Sequence, residues 1–308
     1  MNGDLSAGED GIIHDAQVYG NIIHDNKLAA GINMDGVQNP IIYNNLIYNN
    51  HSSQGIALFQ QDGAVVTSGA KIYNNTIIIP SDGRWGILMK SGANVDTEIY
   101  NNIIINQHAW RGCIAVEAVE QLTSDYNILN DKMSDDGDGS TIDLAAWQAL
   151  GFDGNSQLAN SLISIFVDSG SSDFQLISGS PAIDAGTSLV NSIVIDDLNG
   201  YVRPNGNNYD IGAYEYIGPV GIKQTNREQN WQLFPNPFSE SAVLVFENAE
   251  GKELEIKIYK STGRYLKTLF SDKKSQLKIS KQGMASGLYL FHVLENGKIL
   301  GVGKFIIL

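Results

Sequence analysis

A five-residue phrase recurs along the first half of this chain: Val18-Tyr-Gly-Asn-Ile, Ile42-Tyr-Asn-Asn-Leu, Ile72-Tyr-Asn-Asn-Thr and Ile99-Tyr-Asn-Asn-Ile, with a worn copy at Asp125-Tyr-Asn-Ile. The second asparagine of each copy falls at Asn21, Asn45, Asn75, Asn102 and Asn127, in steps of 24, 30, 27 and 25 residues. A period of that size with variable insertions marks a stacked solenoid, because no single coil can bury its apolar face alone.

Between these phrases runs a second repeat: Gly31-Ile-Asn-Met-Asp, Gly55-Ile-Ala-Leu-Phe, Gly86-Ile-Leu-Met-Lys and Cys113-Ile-Ala-Val-Glu. Its period-two alternation predicts strands. Ile32, Ile56, Ile87 and Ile114 stack inward, as do Met34, Leu58, Met89 and Val116. The alternate positions give an exposed column of Asp35, Phe59, Lys90 and Glu117. Coils stacked as parallel strands lie about 4.8 Å apart. Leucine-rich repeats share the period but not the Leu-x-x-Leu-x-Leu signature, and nothing helical fits between these strands.

Paired strands per coil, a two-asparagine corner and a period near 25 residues resemble the right-handed parallel β-helix family, whose members include pectate lyases and other polysaccharide-active proteins. The resemblance covers residues 8–133 and implies binding or degradation of polysaccharide, acidic polysaccharide included. At the corners asparagine tolerates the left-handed conformation, and stacked asparagines hydrogen-bond from coil to coil, so the asparagine column is read as structural. The tyrosines form a matching aromatic stack whose exposed members suit sugar rings.

Charge is uneven. Residues 1–218 carry seven Lys+Arg against 26 Asp+Glu, whereas 219–308 carry thirteen against eight. An acidic body disfavours nucleic acid, whose phosphates it repels. Cys113 is the only cysteine, which excludes disulfides and cysteine-based metal clusters, and it reads as buried filler at the start of a strand. No run of 18 apolar residues provides a transmembrane segment. The N-terminus, Met1-Asn-Gly-Asp, has no signal peptide. Against the C-terminus described below, this reads as a fragment lacking its export signal and earlier coils.

Four segments follow: a parallel β-helix over 1–133, a closing segment over 134–217, a linker over 218–230 and a β-sandwich over 231–308. In the second, Thr141–Gly151 predicts one short helix capped by Ser140 or Thr141. Ser180-Pro-Ala-Ile-Asp-Ala-Gly-Thr187 and Asp210-Ile-Gly-Ala-Tyr-Glu-Tyr216 resemble the choice-of-anchor segment that closes secreted β-helices. Physically such a segment is a lid for the last coil's unpaired edge. Asp135-Asp-Gly-Asp138 invites calcium, but Trp147 stands where a helix-loop-helix site needs its Glu. A solvated turn is the better reading. Ca²⁺ at an irregular site, there or at Asp184, Asp196, Asp197 and Asp210, is the one cofactor left open; no metal ligand is assigned.

In the tail, alternation predicts strands over 242–246, 254–259, 266–270, 287–294 and 300–308. Hairpin turns are predicted at Ser261-Thr-Gly-Arg264 and Glu295-Asn-Gly-Lys298. The whole chain is thus all-β, a right-handed parallel β-helix solenoid followed by a small antiparallel β-sandwich. Phe234-Pro-Asn-Pro-Phe238, Ile258-Tyr-Lys-Ser-Thr-Gly-Arg264, Gly287-Leu-Tyr-Leu-Phe-His-Val293 and Lys304-Phe-Ile-Ile-Leu308 closely resemble the C-terminal sorting domain of the type IX secretion system. That resemblance implies a Bacteroidetes-type Gram-negative source and a secreted or outer-membrane surface-attached protein. The secretion machinery and a sortase-like peptidase become its partners.

A polysaccharide lyase needs a base beside the uronic carboxylate and cations to hold the developing charge. Lys90 is the candidate base, with Arg84 or Arg111 as the carboxylate clamp; Asp35, Phe59 and Glu117 are the candidate substrate contacts. Against catalysis, a carboxylate one coil away at Glu117 favours a simple cross-strand pair with Lys90. An inverting hydrolase is excluded for Asp35 and Glu117, which stand three coils, about 14 Å, apart. His14 and His24 repeat within Ile-Ile-His-Asp, while His51 and His108 follow asparagine phrases as corner residues. The sequence therefore leaves two classes, a lyase-like enzyme and a non-catalytic surface or adhesive protein.

Overall fold

The computed structural model describes residues 1–308 except 5, 7–9, 91, 119–120, 160, 219–230, 247–250, 262–263 and 296–297. The linker beyond Gly218 and the tips of the two predicted hairpins therefore lie outside the described residues. The chain forms two compact units, Met1–Gly218 and Pro219–Leu308.

The first unit is a parallel β-solenoid of three sheets. One sheet stacks Ile32–Asp35, Ile56–Phe59, Ile87–Met89 and Ile114–Val116; we call it the groove sheet. Its register places Ile32, Ile56, Ile87 and Ile114 in one row and Met34, Leu58, Met89 and Val116 in another. All eight are buried in the bore, as the alternation required. The second sheet stacks Gln17–Tyr19, Ile41–Tyr43, Lys71–Tyr73, Thr97–Tyr100 and Leu122–Asp125. The third runs from Ile22–His24 through Leu46–Tyr48, Thr76–Ile79, Ile103–Asn106 and Ile128–Leu129 to Gln157–Leu158.

The Tyr-Asn-Asn phrase turns the chain from the second sheet into the third. Its first asparagine adopts positive φ at Asn44, Asn74 and Asn101, a position filled by Gly20 and Tyr126 in the outer coils. The second asparagine builds a ladder. Asn45 Nδ2 donates to Asn75 Oδ1 at 2.9 Å, Asn75 to Asn102 at 3.0 Å and Asn102 to Asn127 at 3.1 Å. Each rung also donates to a backbone carbonyl of the preceding coil, Asn75 Nδ2 to Ile42 O at 2.9 Å for example. These bonds satisfy buried corner groups that a sheet ladder cannot reach. Tyr48-Asn-Asn50 begins a second, shorter ladder at the next corner, where Asn26 Nδ2 donates to Asn50 Oδ1 at 2.9 Å.

At the far end the main ladder stops on a buried carboxylate. Asp153 accepts from Asn127 Nδ2, Trp147 Nε1, Ser124 Oγ and Ser156 Oγ at 2.6–2.9 Å. Burial pushes its carboxyl up from the ordinary range. The predicted helix spans Leu144–Ala149, and its N-cap is Asp143, whose side chain accepts from Ala146 N, in place of Ser140 or Thr141. Leu144, Trp147 and Phe152 close the bore.

The closing segment covers more than the terminal edge. Residues 162–216 run along the flank of the stack, laying Phe166, Phe174, Ile211 and Tyr214 against Leu46, Ile78, Ile103 and Ile128 on the outward side of the third sheet. Runs such as Thr76-Ile-Ile-Ile79 are apolar on both faces because both are buried. Val190, Val194 and Tyr209 pack over Tyr73, with Tyr43 and Tyr100 beside it. The tyrosine column is therefore split: Tyr19 stacks on Tyr43 at 4.8 Å, while Tyr73 and Tyr100 are tilted at 6.0 Å. The first asparagines hold the flank, with Asn44 Nδ2 donating to Asp196 O at 2.7 Å, Asn74 Nδ2 to Asp210 O at 2.9 Å and Asn101 Nδ2 to Thr187 O at 2.9 Å. At its centre the buried Arg203 pairs with the buried Glu215 at 2.7 Å.

The second unit is a sandwich of two antiparallel sheets, Gln232–Phe234, Ser241–Val245 and Gln276–Ser280 in one, Tyr265–Phe270, Glu255–Lys260, Gly287–Glu295 and Lys298–Ile307 in the other. Both contribute to one core that includes Leu244, Ile279, Ile258 and Phe291. The Phe234–Phe238 motif lies along the last strand: Asn236 Oδ1 accepts from Ile306 N, and Phe238 N donates to Ile306 O.

Candidate functional site

The outward side of the groove sheet carries two rows. One is Asn33, Ala57, Leu88 and Ala115; the other contains Asp35, Phe59, Lys90 and Glu117. Only the second was singled out from sequence. An open groove of about 660 Å³ runs along this face, lined by Asn33, Gln54, Ala57, Phe59, Gln60, Gln61, Leu88, Lys90 and Glu117. Four of these side chains are amides, which offer donors and acceptors together, as sugar hydroxyls require. Phe59 supplies an aromatic wall.

Asp35 does not reach this surface, a correction to its reading as an exposed substrate contact. It is 3% exposed. Its carboxylate accepts from the backbone N–H of Gln61, Asp62 and Gly63 at 2.8, 2.9 and 3.3 Å. It therefore positions the loop that carries Gln60 and Gln61 into the groove wall. The adjoining turn needs glycine: Gly36 has φ +68°, and an added Cβ would stand 2.8 Å from the Cα of Gly63.

Lys90 Nζ lies 2.5 Å from Glu117 Oε1, the cross-strand pair expected from their register. Arg84 and Arg111 do converge on a carboxylate, but it is the chain's own. Asp138 accepts from Arg84 Nη2 and Arg111 Nε at 2.7 Å each, from Arg111 Nη2 at 3.0 Å and from Trp85 Nε1 at 2.6 Å. Arg111, with Trp85 and Arg84 behind it, holds the Asp138 carboxyl down at about 2. Trp85 is fully buried against Leu88 and Ala115 on the outward side of the sheet. It stands outside the repeat pattern, so periodicity gave no signal for it. Arg111 also covers the ring of the exposed Trp110 at 4.3 Å.

His108 terminates this cluster. Its Nδ1 accepts from Trp110 N and Arg111 N at 3.2 and 3.1 Å. Burial, then the Arg111 and Lys132 charges, hold its imidazole below the usual range. His51 pairs with Asp82 and His24 with Asp25 at the corners. Cys113 is buried, donates to Ile104 O, and its thiol is pushed up by burial.

Several of the calcium candidates are engaged internally. Asp136 binds Ser134 and Ser140, Asp184 accepts from Asn207 N and Asn208 N, and Asp197 from Asn199 N, Tyr201 N and Glu215 N. Among the described residues no three His, Cys, Asp or Glu side chains group as metal ligands. Among them, too, no helix is long and apolar enough to cross a membrane.

Compared with known families, residues 6–163 match the right handed beta helix region and residues 232–308 match the secretion system C-terminal sorting domain. Neither match reaches the choice-of-anchor resemblance at 180–216. No curated protein matches the chain. The sorting tail engages the type IX secretion machinery and marks a protein that is secreted or attached to the outer-membrane surface. Because the first match spans just over half of its length, the chain belongs to the right-handed β-helix family, and it ends in a type IX sorting domain.

Proposed function

We propose that this exported β-helix protein is a non-catalytic binder of uncharged polysaccharide, which it holds along the groove sheet. The observation that carries the reading is the groove lining: four amides and Phe59 around a floor of Ala57 and Leu88. Extended glycans present hydroxyls at their ring edges and apolar faces between them, and amide and aromatic side chains match both. The net charge of −19 on residues 1–218 favours uncharged chains over polyuronates. Lyase chemistry at Lys90, Arg84 and Arg111 is the weaker reading, because all three cations already face carboxylates of the chain.

Affinity electrophoresis tests this. The protein should be retarded by an uncharged glucan or xylan, and Phe59→Ala should lose most of the retardation. Equal migration of wild type and Phe59→Ala in every uncharged glycan would sink the groove. Release of unsaturated uronides from pectate, alginate or chondroitin, lost in Lys90→Ala, would return the site to a lyase.

A further inference from the structure

We propose that Asp138 sets the specificity of the groove: it fills, in cis, a receptor built for a sugar carboxylate and so excludes acidic glycans. This inference rests on the groove reading above.

The receptor follows from solenoid register. Arg84 N donates to Ser53 O and Gly86 N to Gly112 O, so Arg84 and Arg111 occupy one column, a single coil apart. Trp85 sits beside them and packs on Leu88, which lines the groove. Stacking at about 4.8 Å lets two guanidinium groups address the two oxygens of one carboxylate. Arg111 binds in the forked, two-bond manner that suits any carboxylate, not an aspartate in particular.

Asp138 does not belong to either coil. Ser134 pairs with Ala115 as the next rung of the groove sheet, and the chain then doubles back, with Gly137 N donating to Val116 O at 2.7 Å. Gly137 lies flat on Glu117, where an added Cβ would stand 2.8 Å from its Cγ. Residues 135–139 are therefore a strap across the end of the groove. It neutralises both arginines and backs the carboxylate that pairs with Lys90.

Arg84 is held less completely than Arg111. Arg84 Nε is buried without a hydrogen-bond partner, alone in this among the buried side-chain polar atoms of the described residues. Such an orphan is costly, and it leaves Arg84 bonded to Asp138 through Nη2, where Arg111 uses two nitrogens. With Asp138 in place, a uronate meets occupied arginines and a like charge. Specificity by occupying the competitor's site needs no further contact.

The test is Asp138→Ala in the full chain, read two ways. In thermal shift, acetate and galacturonate should raise its Tm saturably, chloride and galactose at equal concentration should not, and wild type should respond to none. Adding Arg111→Gln should abolish the response. In affinity electrophoresis, Asp138→Ala should bind polygalacturonate roughly tenfold more tightly than wild type, about the effect of one charge-assisted pair, while keeping its retardation by the uncharged glycan. A folded Asp138→Ala with no carboxylate-specific response overturns the proposal and leaves Asp138 a structural ion-pair partner. If that variant does not fold, Asp138→Ser, which removes the charge and most of the volume between the two arginines, is judged by the same criterion. The thermal shift uses monomers and is independent of groove binding. A wild type that ignores every uncharged glycan therefore defeats the groove reading alone.

Discussion

Asn75 is the rung whose removal tests the ladder most directly. It is fully buried. Its Oδ1 accepts from Asn45 N at 3.1 Å and Asn45 Nδ2 at 2.9 Å, and its Nδ2 donates to Ile42 O, Tyr73 O and Asn102 Oδ1 at 2.9–3.0 Å. Asn75→Ala deletes all five bonds. Most stranded partners keep a second bond, since Asn45 Nδ2 still reaches Val18 O and Asn102 Oδ1 still accepts from Asn75 N. Asn45 N keeps none of those described, and a buried unpaired donor costs about 1–3 kcal/mol, with about 0.5–1.5 kcal/mol for each net bond lost. The variant should lose on the order of 3–5 kcal/mol, a large share of a typical domain's stability, and on the order of 10 °C in Tm. Asn21→Ala removes the same side chain from an exposed rung with only two donated bonds, and should lose about 1 kcal/mol. Asn75→Asp keeps the acceptor but aims a carboxylate oxygen at two carbonyls, so it should be no better than alanine. Denaturant titrations of the full chain followed by circular dichroism measure all three. If Asn75→Ala and Asn21→Ala fall within about 1 kcal/mol of each other, the ladder is decoration and the bore alone stabilises the stack.

Three further outcomes follow from the same geometry. The Asp138 carboxyl, held at about 2, contributes stability above the ordinary carboxylate range and loses it as the pH falls through about 2. The Tm gap between wild type and Asp138→Asn should therefore be constant from neutral pH down to about 4 and close below it. Glu215→Ala leaves Arg203 charged and unpaired at 4% exposure. It should cost about 3–5 kcal/mol and open residues 184–216 to limited proteolysis, a change absent from the wild-type digest. Cys113 should resist maleimide in the native protein and react on denaturation, because its thiol is buried and pushed up. Rapid native labelling would contradict its burial.

The bore was legible in the sequence because its rule is local. Alternation at Ile32-Asn-Met and its copies decides which side chains turn inward, and parallel stacking repeats the decision at each coil. The second asparagines were legible for the same reason, since each partner is one period away. Legibility fails where a partner is distant or lies outside the repeat. Asn44, Asn74 and Asn101 looked like corner residues only, but they bind carbonyls 86–152 residues downstream. Outward alternation placed Asp35 on the surface, and could not show that the loop after Phe59 would fold over it. Arg84 and Arg111 were read as alternative clamps for a substrate carboxylate, and the sequence could not show that both bind the chain's own Asp138, from a loop read as a solvated turn. The lining amides Asn33 and Gln54 were passed over because they vary between coils, and periodicity detects only what recurs.

The flank fixes the spacing of three of the body's coils. Thr187, Asp196 and Asp210 reach three asparagines that belong to three successive turns of the spiral, so the return segment is a ruler with its marks about 4.8 Å apart. A turn duplicated before Asn44 leaves every mark aligned. One inserted between Asn44 and Asn101 shifts a mark by a full step and strands Arg203 away from the carbonyls of Asp210 and Gly212 or from Asn44. Insertion between Asn44 and Asn101 is thus disfavoured, whereas the turns before Asn44 carry no such mark.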